Sequence, residues 1–191
     1  MQEFNEEEIL KRIAEMEDGE ESVSEVMTPE SLSEDAPKDL RELVGMAGKV
    51  IGIEYSGLGE NGYDAYGAYC FLPPVEEDAC RILSIVVTLT EEVDGIGIYD
   101  LYQVMNRINA RILGGAFVLS DDESTLYFRR YVYLPTALEP EECIRMAGQR
   151  IFDSLAIVAG SIDVLMGLIE ATMSYEECLA RLGITADEDN M

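Results

Sequence analysis

The chain has 191 residues, 48% of them hydrophobic, which suits one folded domain with appendages and leaves enough apolar side chains for a proper core. Its 39 Asp and Glu against 13 Lys and Arg give a net charge of −26, which repels nucleic acid and anionic membranes and favours basic or apolar protein partners. It has no histidine, which removes His-based triads, Cys–His pairs and every His metal ligand.

Residues 1–42 carry 15 Asp or Glu and 4 Lys or Arg, and read as an acidic N-terminal tail. Within it Phe4 to Met16 can form a short helix, with Ile9, Leu10, Ile13 and Met16 on one side. Asp18 to Pro37 is acidic, Ser-rich and poor in aromatics, the composition of a flexible linker. Leu40 to Ala47 fits a second short helix ending at Gly48. Lys49 to Tyr55 reads as a strand, Gly57 to Asp64 as a turn carrying the strong turn dipeptide Asn61-Gly62, and Tyr66 to Leu72 as the returning strand, stopped by Pro73-Pro74. Arg81 to Leu89 is the clearest strand, with Leu83, Ile85, Val87 and Leu89 on one face.

Leu101, Met105, Ile108 and Ile112 recur on one helical face. Asp100 with Gln103 suggests a capping pair at the start of that helix, and Gly114-Gly115 its stop. Ala116 to Leu119 and Thr125 to Leu134 then pair as a hairpin across Ser120 to Ser124. Glu139-Pro140-Glu141-Glu142 has the proline and acids that open a helix. From there Ile144, Gly148, Ile151, Leu155, Val158, Ile162, Leu165 and Ile169 form a heptad-like seam, with Gly160-Ser161 a candidate kink. The second half of this helix is apolar on other sides too, so it asks to be covered on more than one face. Ser174 with Glu177 predicts a capping box for a last short helix, Tyr175 to Leu182.

The expected fold is therefore α+β: a five-stranded antiparallel sheet packed with helices, in the order α-β-β-β-α-β-β-α. The expected boundaries are the tail at 1–42, the domain at 43–173, and a short helix with an acidic tail at 174–191. The most apolar window, Leu155 to Ile169, is 15 residues long and contains Asp163. A spanning helix needs roughly 20 residues, so no membrane span is expected. MQEFNEEEILKR lacks the apolar core of a signal peptide, and Cys70, Cys80, Cys143 and Cys178 are far apart without a CxxC pair. Together they point to reduced, mostly buried thiols in a cytoplasmic protein.

With these elements in place, residues 98–135 resemble the YbjN family, through VMNRINARI, the glycine break, and the hairpin FVLSDDESTLYFRRYVYLP. A looser likeness extends over roughly 45–172, while the acidic tail and the helix after Ser174 depart from the family. The resemblance implies a fold similar to the small chaperones of type III secretion. It also implies an acidic, dimeric protein-binding or regulatory module, and it brings no catalytic residues and no cofactor.

Several short motifs invite chemistry. Gly57-Leu58-Gly59-Glu60-Asn61-Gly62 spells GxGxxG, but a dinucleotide site needs a helix next and this turn leads into a strand, so a hairpin is expected. Asp121-Asp122-Glu123 lacks the spacing of a calcium loop and reads as a solvated hairpin tip. Asp163, inside the apolar helix, is expected to face outward at the helix edge; buried, it would need partners. Lys11, Lys38 and Lys49 are the only lysines and none lies in a nucleophile motif. Tyr127, Arg129, Tyr131 and Tyr133 alternate on one face of the last strand, with Leu126, Phe128, Val132 and Leu134 on the other and Arg130 interrupting. Two readings of the tyrosine face stay open: an interface, or a second core layer under a helix.

The leading expectation is a non-enzymatic protein-interaction module, chaperone-like or regulatory. Tyr127, Arg129, Tyr131 and Tyr133 are the candidate partner site. Ile151, Leu155, Val158, Ile162, Leu165 and Ile169 are the candidate seam of a homodimer. No catalytic, metal or cofactor residues are assigned. The alternatives are a small-ligand sensor with a cleft between sheet and long helix, and a carboxylate- or metal-dependent enzyme with several acids in one pocket.

Overall fold

The computed structural model describes residues 4–17, 22–31, 38–74, 79–93 and 97–184. In chain order the elements are α1 (Glu6–Glu17), β1 (Ser22–Met27), α2 (Lys38–Ala47), β2 (Val50–Leu58), β3 (Tyr63–Phe71), β4 (Cys80–Thr90), α3 (Ile98–Asn109), β5 (Ala116–Leu119), β6 (Leu126–Pro135), α4 (Pro140–Ala159), α5 (Ile162–Ile169) and α6 (Tyr175–Arg181). The class is α+β with one antiparallel sheet, as expected. The sheet has six strands rather than five, in the order β1-β2-β3-β4-β6-β5. The extra strand is Ser22–Met27, which composition assigns to a linker; it pairs antiparallel with Tyr55–Val50 of β2.

One face of the sheet carries the main core. Ile51, Ile53, Tyr69, Leu83, Ile85, Val87, Phe128 and Leu134 are buried there together with Ile144 and Ile151 of α4 and Leu101, Val104, Met105 and Ile108 of α3. The acidic tail contributes to the same core, because Ile9, Leu10 and Ile13 of α1 are buried in it. Burying each such side chain is worth roughly 1.5–3 kcal/mol, enough to hold a short helix that would not persist alone. Ion pairs at its first turn reinforce the docking: Lys49 Nζ lies 2.8 Å from Glu7, and Arg81 Nε 2.9 Å from Glu6. Met16, expected on the buried side, is 56% exposed. Its methyl group lies 2.8 Å from where a Cβ on Gly148 would stand. The glycine in the heptad-like seam is thus where α1 crosses α4.

The single long helix is two. It breaks at Gly160 and Ser161, the expected kink, and α4 and α5 meet at 44°. No described helix alone is long and apolar enough to cross a membrane. Two local expectations are corrected at α3. Gly97, at φ 77°, precedes the helix and no side chain caps it, so Asp100 sits within the first turn as a favourable dipole charge. The helix ends at Asn109 rather than at the double glycine; Gly114 and Gly115, both at positive φ, turn the chain into β5 instead. The capping box of Ser174 and Glu177 at α6 is present as expected.

Candidate protein-binding surface

The other face of the sheet divides into two halves. Over β1, β2 and β3 it is roofed by α2, and Met27, Val44, Val50, Ala68 and Cys70 form a small second core there. Burial pushes the Cys70 thiol up to about 12, so it is an inert apolar group. Over β4, β6 and β5 no described helix lies on the sheet. Tyr127 is half-buried, Arg129 is exposed, and Tyr131 and Tyr133 are 45% and 64% exposed. The four candidate residues are therefore brought together on one open face. The second-core-layer reading fails for Tyr131 and Tyr133 because the roofing helix stops over β3.

Cross-strand register completes this face. Ile82 faces Tyr133, Ser84 faces Tyr131, Val86 faces Arg129 and Thr88 faces Tyr127, while Ala116 and Val118 of β5 face Arg129 and Tyr127 from the other side. No Asp or Glu occupies any of these positions, on a chain of net charge −26. The guanidinium of Arg129 stacks on the Tyr131 ring, 5.4 Å from its centroid. Aromatic rings, one stacked arginine and no acids make the composition of an interface centre.

The opposite side of β6 holds an anomaly. Arg130 points into the core face and is only 9% exposed, and its Nη1 has no hydrogen-bond partner. Its guanidinium lies over Gly114, whose added Cβ would stand 3.2 Å from Nη2. Burial lowers its pKa, the Arg150 charge lowers it further, and Asp153 acts the other way; a guanidinium still stays charged. Asp153 is itself engaged by Arg150 Nη1 at 3.1 Å. Among the described residues Arg130 is a buried cation without a counter-ion of its own.

The remaining motifs resolve as scaffold. Asp163 is 7% exposed, not outward-facing as expected. Its carboxylate accepts from the Glu60 N–H at 2.7 Å and the Asn61 N–H at 3.0 Å, so the amides of the GxGxxG turn are taken by the protein's own acid. Gly59, at φ 74°, has no side chain because a Cβ would stand 2.8 Å from that carboxylate. Arg181 bridges Glu60 at 2.5 Å and lies 4.0 Å from Asp163. At the tip of the β5–β6 hairpin, Asp122 accepts from the Ser120 and Ser124 hydroxyls at 2.6 and 2.7 Å. Among the described residues no three Cys, Asp or Glu side chains converge as a metal site would require.

The candidate dimer seam lies inside the chain. Ile151, Val158, Ile162 and Leu165 have no exposed surface, and Leu155 and Ile169 are partly buried against the same core. The seam sides of α4 and α5 are met by the sheet, α1, α3 and α6, with Phe152 of α4 left exposed, so the need for a second copy to cover the seam disappears. The space between sheet and α4 is filled by the same side chains. Two open depressions lie elsewhere, about 470 Å³ beside Phe4, Lys49 and Phe71, and about 500 Å³ beside Asp100, Ala171 and Tyr175.

One residue that sequence reasoning passed over is Asn109. Its amide N–H₂ donates to Phe117 O at 2.9 Å and its carbonyl accepts from Phe117 N–H at 2.8 Å. One side chain thus satisfies both outward backbone groups in the middle of edge strand β5. An Asn closing a helix before a short strand was the available signal. No protein-family profile matches this chain, and no curated protein is similar to it.

Proposed function

We propose that this chain is a non-enzymatic protein-interaction module, chaperone-like or regulatory, that engages its partner on the open outer face of β4, β6 and β5. The observation that carries the reading is the acid-free patch around Tyr131 and Tyr133, beside a half-sheet that α2 seals. The resemblance to the YbjN family supports it, because the β5–β6 hairpin of that resemblance supplies two of the three strands of this face. The order from α2 to α4 is α-β-β-β-α-β-β-α, which supports a likeness to the small chaperones of type III secretion. Four free cysteines support a reducing, cytoplasmic setting.

Affinity capture from the source cell tests the proposal. Tyr131→Ser with Tyr133→Ser is expected to lose the partner while the melting temperature stays close to the parent, since both side chains face solvent. Retained capture by the double variant sinks the assignment of this face. The proposal includes a homodimer formed apart from this face. Sedimentation at micromolar concentration should then show a dimer that the double variant keeps, and monomer alone would sink that part.

A further inference from the structure

The backbone of β6 has an edge that no described residue closes. In an antiparallel ladder, hydrogen-bonded pairs recur every second residue. Ser120 N–H donates to Thr125 O at the β5 hairpin, and Thr136 N–H donates to Ala79 O at the end of β4. Stepping by two from these bonds, the odd-numbered residues of β6 turn their N–H and C=O towards β5 and the even-numbered ones towards β4. β5 is only four residues long and its pairing ends at Ala116 opposite Arg129. β6 runs on to Pro135. The N–H and C=O groups of Tyr131 and Tyr133 therefore point to the side that β5 has vacated, and no described residue bonds to them there. The step is bounded by Gly114-Gly115, which turns the chain aside, and by Pro135, which has no N–H.

We propose that this step in the sheet binds an extended acidic peptide, which pairs with Tyr131 and Tyr133 as an added strand in line with β5 and lays a carboxylate against Arg130. The inference rests on the protein-binding reading above and deepens it by naming the partner's conformation and charge. Strand addition draws affinity from main-chain bonds and selectivity from alternate side chains. Charge selects the occupant. Arg150 acts on the Arg130 charge from α4, and Asp153 beside them is engaged by Arg150, while Arg129 carries a further positive charge on the outer side of the same strand, on a chain that is acidic elsewhere. Among the described residues the Arg130 Nη1 has no hydrogen-bond partner, and a carboxylate against this guanidinium makes a charge-assisted bond. A second copy of this chain offering the same edge would set arginines against arginines.

The test uses the full chain, amide hydrogen exchange, and fluorescein-labelled ten-residue peptides of alternating Thr and Val that carry either two Glu or two Lys. In the free protein the Tyr131 and Tyr133 amides should exchange fast while those of Val132 and Leu134, bonded to β4, exchange slowly. The Glu peptide should slow both tyrosine amides and bind about tenfold tighter than the Lys twin, the size of one charge-assisted bond. Arg130→Gln should erase that preference. Tyr133→Pro, which removes the edge N–H and leaves the β4 ladder intact, should bind less well than Tyr133→Ser, which removes only the ring. Slow amides in the free chain, or no protection with the Glu peptide, overturn the inference. Protection that instead appears with protein concentration alone overturns the acidic-peptide occupant in favour of a second copy. If partner capture falls with the tyrosine rings but the amides stay unprotected, the edge inference fails alone. If neither responds, both readings fail.

Discussion

Asp163 and Arg130 are both buried ions, and their surroundings treat them oppositely. Asp163 has two backbone donors and a nearby arginine, so Asp163→Asn should lower stability by about 2 kcal/mol, since it weakens buried bonds to a charged acceptor. Urea unfolding measures this, and faster exchange at the Glu60 and Asn61 amides would place the damage at the turn. Arg130 has no such compensation. Arg130→Met should raise stability by about 1 kcal/mol, because a buried unpaired charge gives way to an apolar chain of similar length. A loss of stability there would mean that the guanidinium is already satisfied. Asp122 offers a pH test. The hydroxyl of Ser120, then that of Ser124, hold its carboxyl down at about 2. The unfolded chain titrates near about 3.9, so this contribution is complete above that pH and is lost as pH falls through about 2. A carboxyl titration by NMR with a midpoint near 4 would contradict the closed turn. Sequence could flag Asp163 and Arg130 as out of place in apolar runs. It could not place them, because the turn amides that hold Asp163 lie more than a hundred residues away in the chain.

At the scale of elements, the strands with clean alternation were legible and the strand without it was not. β4 announces itself through Leu83, Ile85, Val87 and Leu89. β1 reads Ser-Val-Ser-Glu-Val-Met within an acidic, Ser-rich stretch, and gains its order from the ladder of β2. The α4–α5 break was legible in Gly160-Ser161, whereas the destination of the apolar seam was not. Periodicity says that two sides of a helix are covered, and says nothing of whether α1, α3 and α6 or a second chain covers them. The same holds for the tyrosine face, whose alternation was visible and whose exposure depends on where α2 ends. The α3–β5 junction allows a sharp test. Gly115 sits at φ 92°, and an added Cβ would run into the Phe128 ring. Gly115→Ala should cost about 1–3 kcal/mol in thermal or urea unfolding and loosen the β5 ladder; a neutral effect would mean that the chain enters β5 by another path.

For the molecule as a whole, charge works against compactness. A net charge of −26 on a single domain repels itself, and added salt screens that repulsion. The melting temperature should rise by about 5 °C between about 10 mM and about 500 mM NaCl, and a flat response would mean that local ion pairs dominate the long-range field. Against this field the outer face of β4, β6 and β5 offers a partner rings and an arginine rather than carboxylates.

The Asn109 amide has a consequence for valency. By occupying both outward groups of Phe117, it denies that strand a full ladder with any newcomer. Growth of the sheet past β5 is therefore blocked at Phe117, and on this side of the sheet the short gap beside β6 remains to be filled. Occupation of that gap saturates at one segment per chain, and what results is a finite complex rather than a growing filament. Asn109→Ala would remove the terminator, and light scattering would then report slow, concentration-dependent polymerisation that the parent chain does not show.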